Sequence, residues 1–140
     1  MGVVLALDPG ERRTGIALCD PARILASPHS THDRKRDASL IDLVDKLCRE
    51  HEVTDVVIGH AVTQELECGE SARRGERVAK LLRTRLRPLD IQVHLFDERY
   101  STAEASRLLA GRRHERAERD ALAAALILQG WLDSQRDSAN

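Results

Sequence analysis

Residues 3–8 read Val-Val-Leu-Ala-Leu-Asp, an apolar run that stops at a carboxylate and is followed at once by Pro9-Gly10. A run this short, without polar alternation, suits a strand covered on both faces. The chain must then supply a sheet with a layer on either side of it. Thr14–Cys19 reads as a second strand and Ile24–His29 as a weaker third, with Asp20-Pro21 turning the chain between them. Tight connections of this kind predict an antiparallel meander.

The hydrophobic period then changes. Leu40, Ile41, Val44, Leu47 and Cys48 recur at helical spacing, with Asp37 or Ser39 as the cap. Asp55–Gly59 is another buried strand. Gly69 and Ser71 open a longer helix with an apolar stripe of Ala72, Gly75, Ala79, Leu82 and Leu86, which Pro88 ends. Ile91–Phe96 is a fifth strand, finishing at Asp97-Glu98, and Ser101 or Thr102 caps a short helix. Glu118–Leu132 is Ala-rich and apolar on most sides, so it is expected deep against the sheet. The polar residues 134–140 are expected to fray. Together these elements predict one α/β domain over residues 1–140, a mixed five-stranded sheet with helices on both faces.

Composition narrows the function classes. With 41% hydrophobic and 32% charged residues among 140, the chain is an ordinary globular domain. Its aromatics, Phe96, Tyr100 and Trp131, are too few for the stacking platforms of single-strand binders. Cys19, Cys48 and Cys68 lack a CxxC spacing, which predicts free thiols in a reducing compartment. No apolar stretch reaches the roughly 20 residues that cross a bilayer, and a cytoplasmic protein without membrane contact is expected.

The chemical signal lies in three acids. Asp8 and Glu98 each follow an apolar strand, and Asp120 opens the final helix. Such positions can converge at one edge of an α/β sheet. Three carboxylates gathered there would repel one another unless cations neutralised them. Oxygen ligands of this type suit Mg²⁺ or Mn²⁺, and two such ions can activate water against a phosphodiester. Singly, each acid has a plainer role: Asp8 in a turn, Glu98 as a solvated charge, Asp120 as a helix cap.

Basic residues extend the reading to nucleic acid. Arg12 and Arg13 sit at the tip of Asp8-Pro9-Gly10…Gly15, where glycines permit positive φ and close approach to a phosphate. Arg73, Arg77, Lys80, Arg83 and Arg87 form a helical stripe, either a solvated face or a track for a phosphate backbone. A second cluster, Arg107, Arg112, Arg113, Arg116 and Arg119, precedes Asp120. The candidate nucleic-acid contacts are Arg12, Arg13, Arg73, Arg77, Lys80, Arg99, Arg112 and Arg113. The six histidines show no ligand pair, and no Ser-His-Asp or Cys-His arrangement is legible.

LALDPGERRTGIALCD, the DVVIG strand, FDERYSTAEA and RDALAAALILQGWLD, taken together, resemble the YqgF family over Val4 to Asp133. Its members are described as Holliday-junction resolvases and as nucleases for the 5′ end of precursor 16S ribosomal RNA. The resemblance implies an RNase H-like fold with strand order 3-2-1-4-5, cytoplasmic location, and hydrolysis supported by Mg²⁺ or Mn²⁺. It implies that Asp8, Glu98 and Asp120 hold the metal, with Arg99 and Thr102 in support. Where the family continues its fourth strand with Gly-Leu-Pro, this chain has Gly59-His60-Ala61, and Arg113–Arg119 replaces a Lys-rich, glycine-containing approach to the last Asp. These departures touch the rim of the cleft.

Two other functions fit parts of the sequence. The first strand and its glycines also match a phosphate loop of the actin and sugar-kinase type, but those enzymes need two such domains. A non-catalytic nucleic-acid or ribosome-assembly module on the same fold would show the same basic stripes without turnover. No strip of sequence announces a dimer face, so a monomer is the expectation, although a two-fold symmetric junction calls for a pair.

Overall fold

The computed structural model describes residues 2–33, 37–60, 70–97 and 116–139. The strands are β1 (Val3–Pro9), β2 (Arg13–Cys19), β3 (Ala26–Asp33), β4 (Val53–His60) and β5 (Gln92–Asp97), and the helices are α1 (Asp37–Glu50), α2 (Glu70–Leu86) and α3 (Arg116–Ala139). Together the strands form one sheet of order β3-β2-β1-β4-β5. β1, β2 and β3 pair antiparallel, whereas β4 and β5 run parallel to β1. The short apolar run therefore takes the central position that its lack of alternation required.

Side-chain alternation divides the core in two. Leu5, Leu7, Ile16, Val56 and Ile58 point to one face and meet Leu40, Val44, Val78 and Leu82 of α1 and α2. Val4, Ala6, Ala17 and Val57 point to the other and meet Ala124, Leu128, Trp131 and Leu132 of α3. The small residues on this second face let an Ala-rich helix lie close to the sheet.

Most element ends shift by one or two residues from those expected, and the larger differences have physical reasons. β3 begins at Ala26, because Asp20 Oδ1 accepts hydrogen bonds from the amides of Ile24 and Leu25, both at 2.8 Å, and holds them in a turn. Ile24 and Leu25 are consequently exposed, at 60% and 63%. Ser39 lies inside α1, and its hydroxyl meets His32 Nε2 at 3.1 Å instead of capping the helix. The last helix starts at Arg116, ahead of the expected Glu118, so Asp120 lies one turn inside it and does not open it, and the helix continues to Ala139 where fraying was expected from Ser134. Arg136 pairs with Asp133 at 2.6 Å, and the Ser134 hydroxyl bonds the Trp131 carbonyl at 2.7 Å. The short helix expected after Ser101 lies outside the described residues.

Candidate active site

Register brings the ends of the parallel strands to one edge. Leu7 stands beside Ile58 and Ile58 beside Leu95, so β1, β4 and β5 all leave the sheet on the same side. Asp8 follows Leu7 there, half-buried, on the face shared by Val4 and Ala6, which is the face α3 covers. In β2 its register partner is Gly15.

Gly15 settles how closely α3 lies against β2. A Cβ on this residue would lie 1.8 Å from the carbonyl oxygen of Asp120 and 3.1 Å from the amide nitrogen of Ala121. Only a residue without a side chain lets the helix backbone rest against the strand at this point. Asp8 and Asp120 thus flank a single glycine, although they stand 112 positions apart in the sequence. The close approach made at Gly15 is to the protein's own helix. No described glycine adopts positive φ. Gly10 is needed because a Cβ would lie 2.6 Å from the Arg13 carbonyl, in the turn closed by the Gly10 amide at 2.8 Å.

Arg13 joins the pair. Its Nε donates to Asp120 Oδ2 at 2.8 Å, and the two side chains are 36% and 32% exposed. Arg12, next to it, is exposed at the turn beside Asp8. Arg73, Arg77 and Lys80 are exposed on α2, across the sheet from Asp8 and Asp120. The structure does not bring that stripe to the acids. Glu98, Arg99, Arg112 and Arg113 lie outside the described residues. Among the described residues, no group of three or more metal-binding side chains is assembled.

The buried thiols offer no competing nucleophile. Burial pushes Cys48 up to about 12 and also raises Cys19, whose sulfur takes the Val4 amide at 3.1 Å. Both are free and neutral near pH 7.

A second polar cluster lies at the opposite end of the α3 face, and nothing in the sequence reading anticipated it. Asp55 accepts from Arg23 Nη2 at 2.7 Å and from the Thr54 hydroxyl at 2.8 Å, and meets His94 Nε2 at 2.9 Å. The His94 ring lies 5.1 Å from that of Trp131. The only sequence signal was an acid opening an apolar strand, which is also what a solvated strand end looks like.

Comparison with known proteins places these features in a family. Residues 2–134 match the family model described as RuvX: Holliday junction resolvase. A protein of Roseiflexus sp. (strain RS-1) is 39% identical over 140 residues, covering 96% of each chain, and is named "Putative pre-16S rRNA nuclease". One of Mycobacterium leprae with the same name is 40% identical over 136 residues, covering 94% of this chain and 73% of its own. Among solved structures, Thermus thermophilus RuvC in complex with a Holliday junction substrate superposes with a TM-score of 0.63 at 13% identity, covering 97% and 96% of the two chains. The yeast mitochondrial Holliday junction resolvase Ydc2 gives 0.61 at 13% identity, over 95% and 78%. At that identity the likeness is one of fold, and it confirms the RNase H-like arrangement.

Proposed function

The chain belongs to the RuvX (YqgF) family, and from that premise we propose that it is a nuclease hydrolysing phosphodiester bonds of structured nucleic acid. The observation that carries this reading is the meeting of Asp8 and Asp120 across Gly15 at the edge where β1, β4 and β5 end. Two anions brought this close, far apart in sequence, suit a shared cation. Glu98, the residue after the end of β5, supplies the third carboxylate in this reading. β5 is two strands from β1, about 10 Å, a gap suited to two ions about 4 Å apart. Bound Mg²⁺ or Mn²⁺ supplies an activated water and stabilises the leaving oxygen.

The chain's own residues do the positioning. Asp8 is fixed by the central strand and Asp120 by the seat of α3 on Gly15. Arg12, on the exposed turn beside Asp8, contacts a substrate phosphate, with Arg99, Arg112 and Arg113 in the same role. Arg73, Arg77 and Lys80 reach only those parts of a long or branched substrate that pass around to the α2 layer. The 5′ end of precursor 16S ribosomal RNA and the Holliday junction are the substrates that the relatives' names and the family description suggest. The chain acts in the cytoplasm, as a monomer on an RNA end, whereas a two-fold symmetric junction takes two copies.

The test is Mn²⁺-dependent cleavage of a precursor 16S 5′ leader and of a four-way junction by purified protein. Cleavage of either, lost in Asp8→Asn, is expected. Salt-dependent binding without turnover, indifferent to that substitution, would instead identify a non-catalytic module.

A further inference from the structure

Arg13 was expected to touch nucleic acid, yet in the free chain its guanidinium is engaged elsewhere. It lies on the α3 face of β2, two residues before Gly15, so the strand meets the second turn of α3 with a bare backbone and a cation. The cation is 2.8 Å from Asp120 Oδ2, in a half-buried setting where water screens the pair only in part. Asp120 already has a positive partner before any metal arrives.

We infer that Arg13 is the resident counter-ion of Asp120 and competes with a divalent cation for that carboxylate. The inference rests on the metal-dependent reading above and deepens it. In the free protein, Arg13 relieves the repulsion between Asp8 and Asp120 without metal. A divalent ion binding there must share Asp120 with a guanidinium that repels it, so the empty-handed enzyme loads metal weakly. A substrate phosphate attracts both cations, gives Arg13 a second anion, and completes the ion's oxygen ligands. Metal loading is thereby coupled to the presence of nucleic acid.

A purely structural clamp predicts the opposite effect of removing the charge. Losing a clamp loosens the site and weakens metal binding, whereas losing a competitor tightens it. Mn²⁺ binding to the full chain without nucleic acid, read by the electron paramagnetic resonance of free Mn²⁺, separates the two. Arg13→Gln and Arg13→Met should each bind Mn²⁺ roughly threefold to tenfold tighter than wild type, the scale of removing one charge about 5 Å from a divalent ion. Arg13→Lys keeps the charge and should stay within about twofold of wild type. The gain should vanish when Asp120→Asn is added.

Unchanged or weaker binding in both neutral variants overturns the inference while leaving the metal-dependent reading intact. A gain that persists alongside Asp120→Asn also overturns it. Wild-type protein that binds no Mn²⁺ removes the metal reading and this inference with it.

Discussion

Two aspartates on the α3 face of the sheet are each paired with an arginine, one at either end, and their surroundings differ. Asp55 is 16% exposed and is held by Arg23, Thr54 and His94 together. Burial works to raise its pKa, but the hydrogen bonds from His94, Thr54 and Arg23 outweigh it, and the carboxyl is held below its usual range. Asp120 is 32% exposed, and among the described residues its carboxylate is held by Arg13. The first pair ties the β2–β3 turn, β4 and β5 together, and its acid is fully occupied by the protein. The second leaves an acid at the open edge beside Asp8. A carboxylate with saturated hydrogen bonding fixes structure, and one held by a single cation at an edge can exchange that cation for another.

Substitutions can break this contrast. The largest effect is expected at Asp8: Asp8→Asn should lower Mn²⁺-dependent cleavage by about a thousandfold or more, while thermal melting shows the fold unharmed. Gly15→Ala follows. A methyl group there meets helix backbone, so α3 must shift, and cleavage should fall about a hundredfold. The same substitution should cost about 1–3 kcal/mol in urea unfolding.

Asp55→Asn should do the reverse. It removes the charge from a well-held pair and should cost about 2–3 kcal/mol of stability, with cleavage per folded molecule unchanged. The pH dependence checks its cause. Because the folded-state pKa of Asp55 is lowered, its contribution is present above the unfolded value of about 3.9 and is lost as pH falls through the lower folded value. Acid unfolding of wild type below about pH 4 should therefore be steeper than that of Asp55→Asn. A variant at this position that loses cleavage as well would blur the distinction between the two ends.

The smallest effect is at the exposed turn. Arg12→Ala should weaken RNA binding a few-fold and reduce the slope of log affinity against log salt by about one. The same change at Arg77, on the opposite layer, should be smaller still on a short substrate.

Much of the fold was legible because burial writes a plain pattern. The runs at Val3 and Asp55 lack alternation because both faces of β1 and β4 are covered, and the helical stripe of α2 follows from its one-sided packing. The start of β3 was less legible: Ile24 and Leu25 look like strand residues, but the Asp20 carboxylate captures their amides. In the site, the acids at Asp8 and Asp120 could be named from their positions at a strand end and a helix start. Their meeting could not. Gly15 announced a close approach without saying to what, and Arg13 announced a charge without its partner.

The sequence by itself determined the layers, the central strand and the kinds of side chain available for chemistry, since these depend on local periodicity and residue type. Only tertiary structure decided that the Asp120 carbonyl fills the space beside Gly15 and that Arg13 neutralises Asp120 while Arg23 neutralises Asp55. Those choices depend on contacts between segments about a hundred residues apart in one case and about thirty in the other, a separation at which neither hydrophobic period nor propensity carries information.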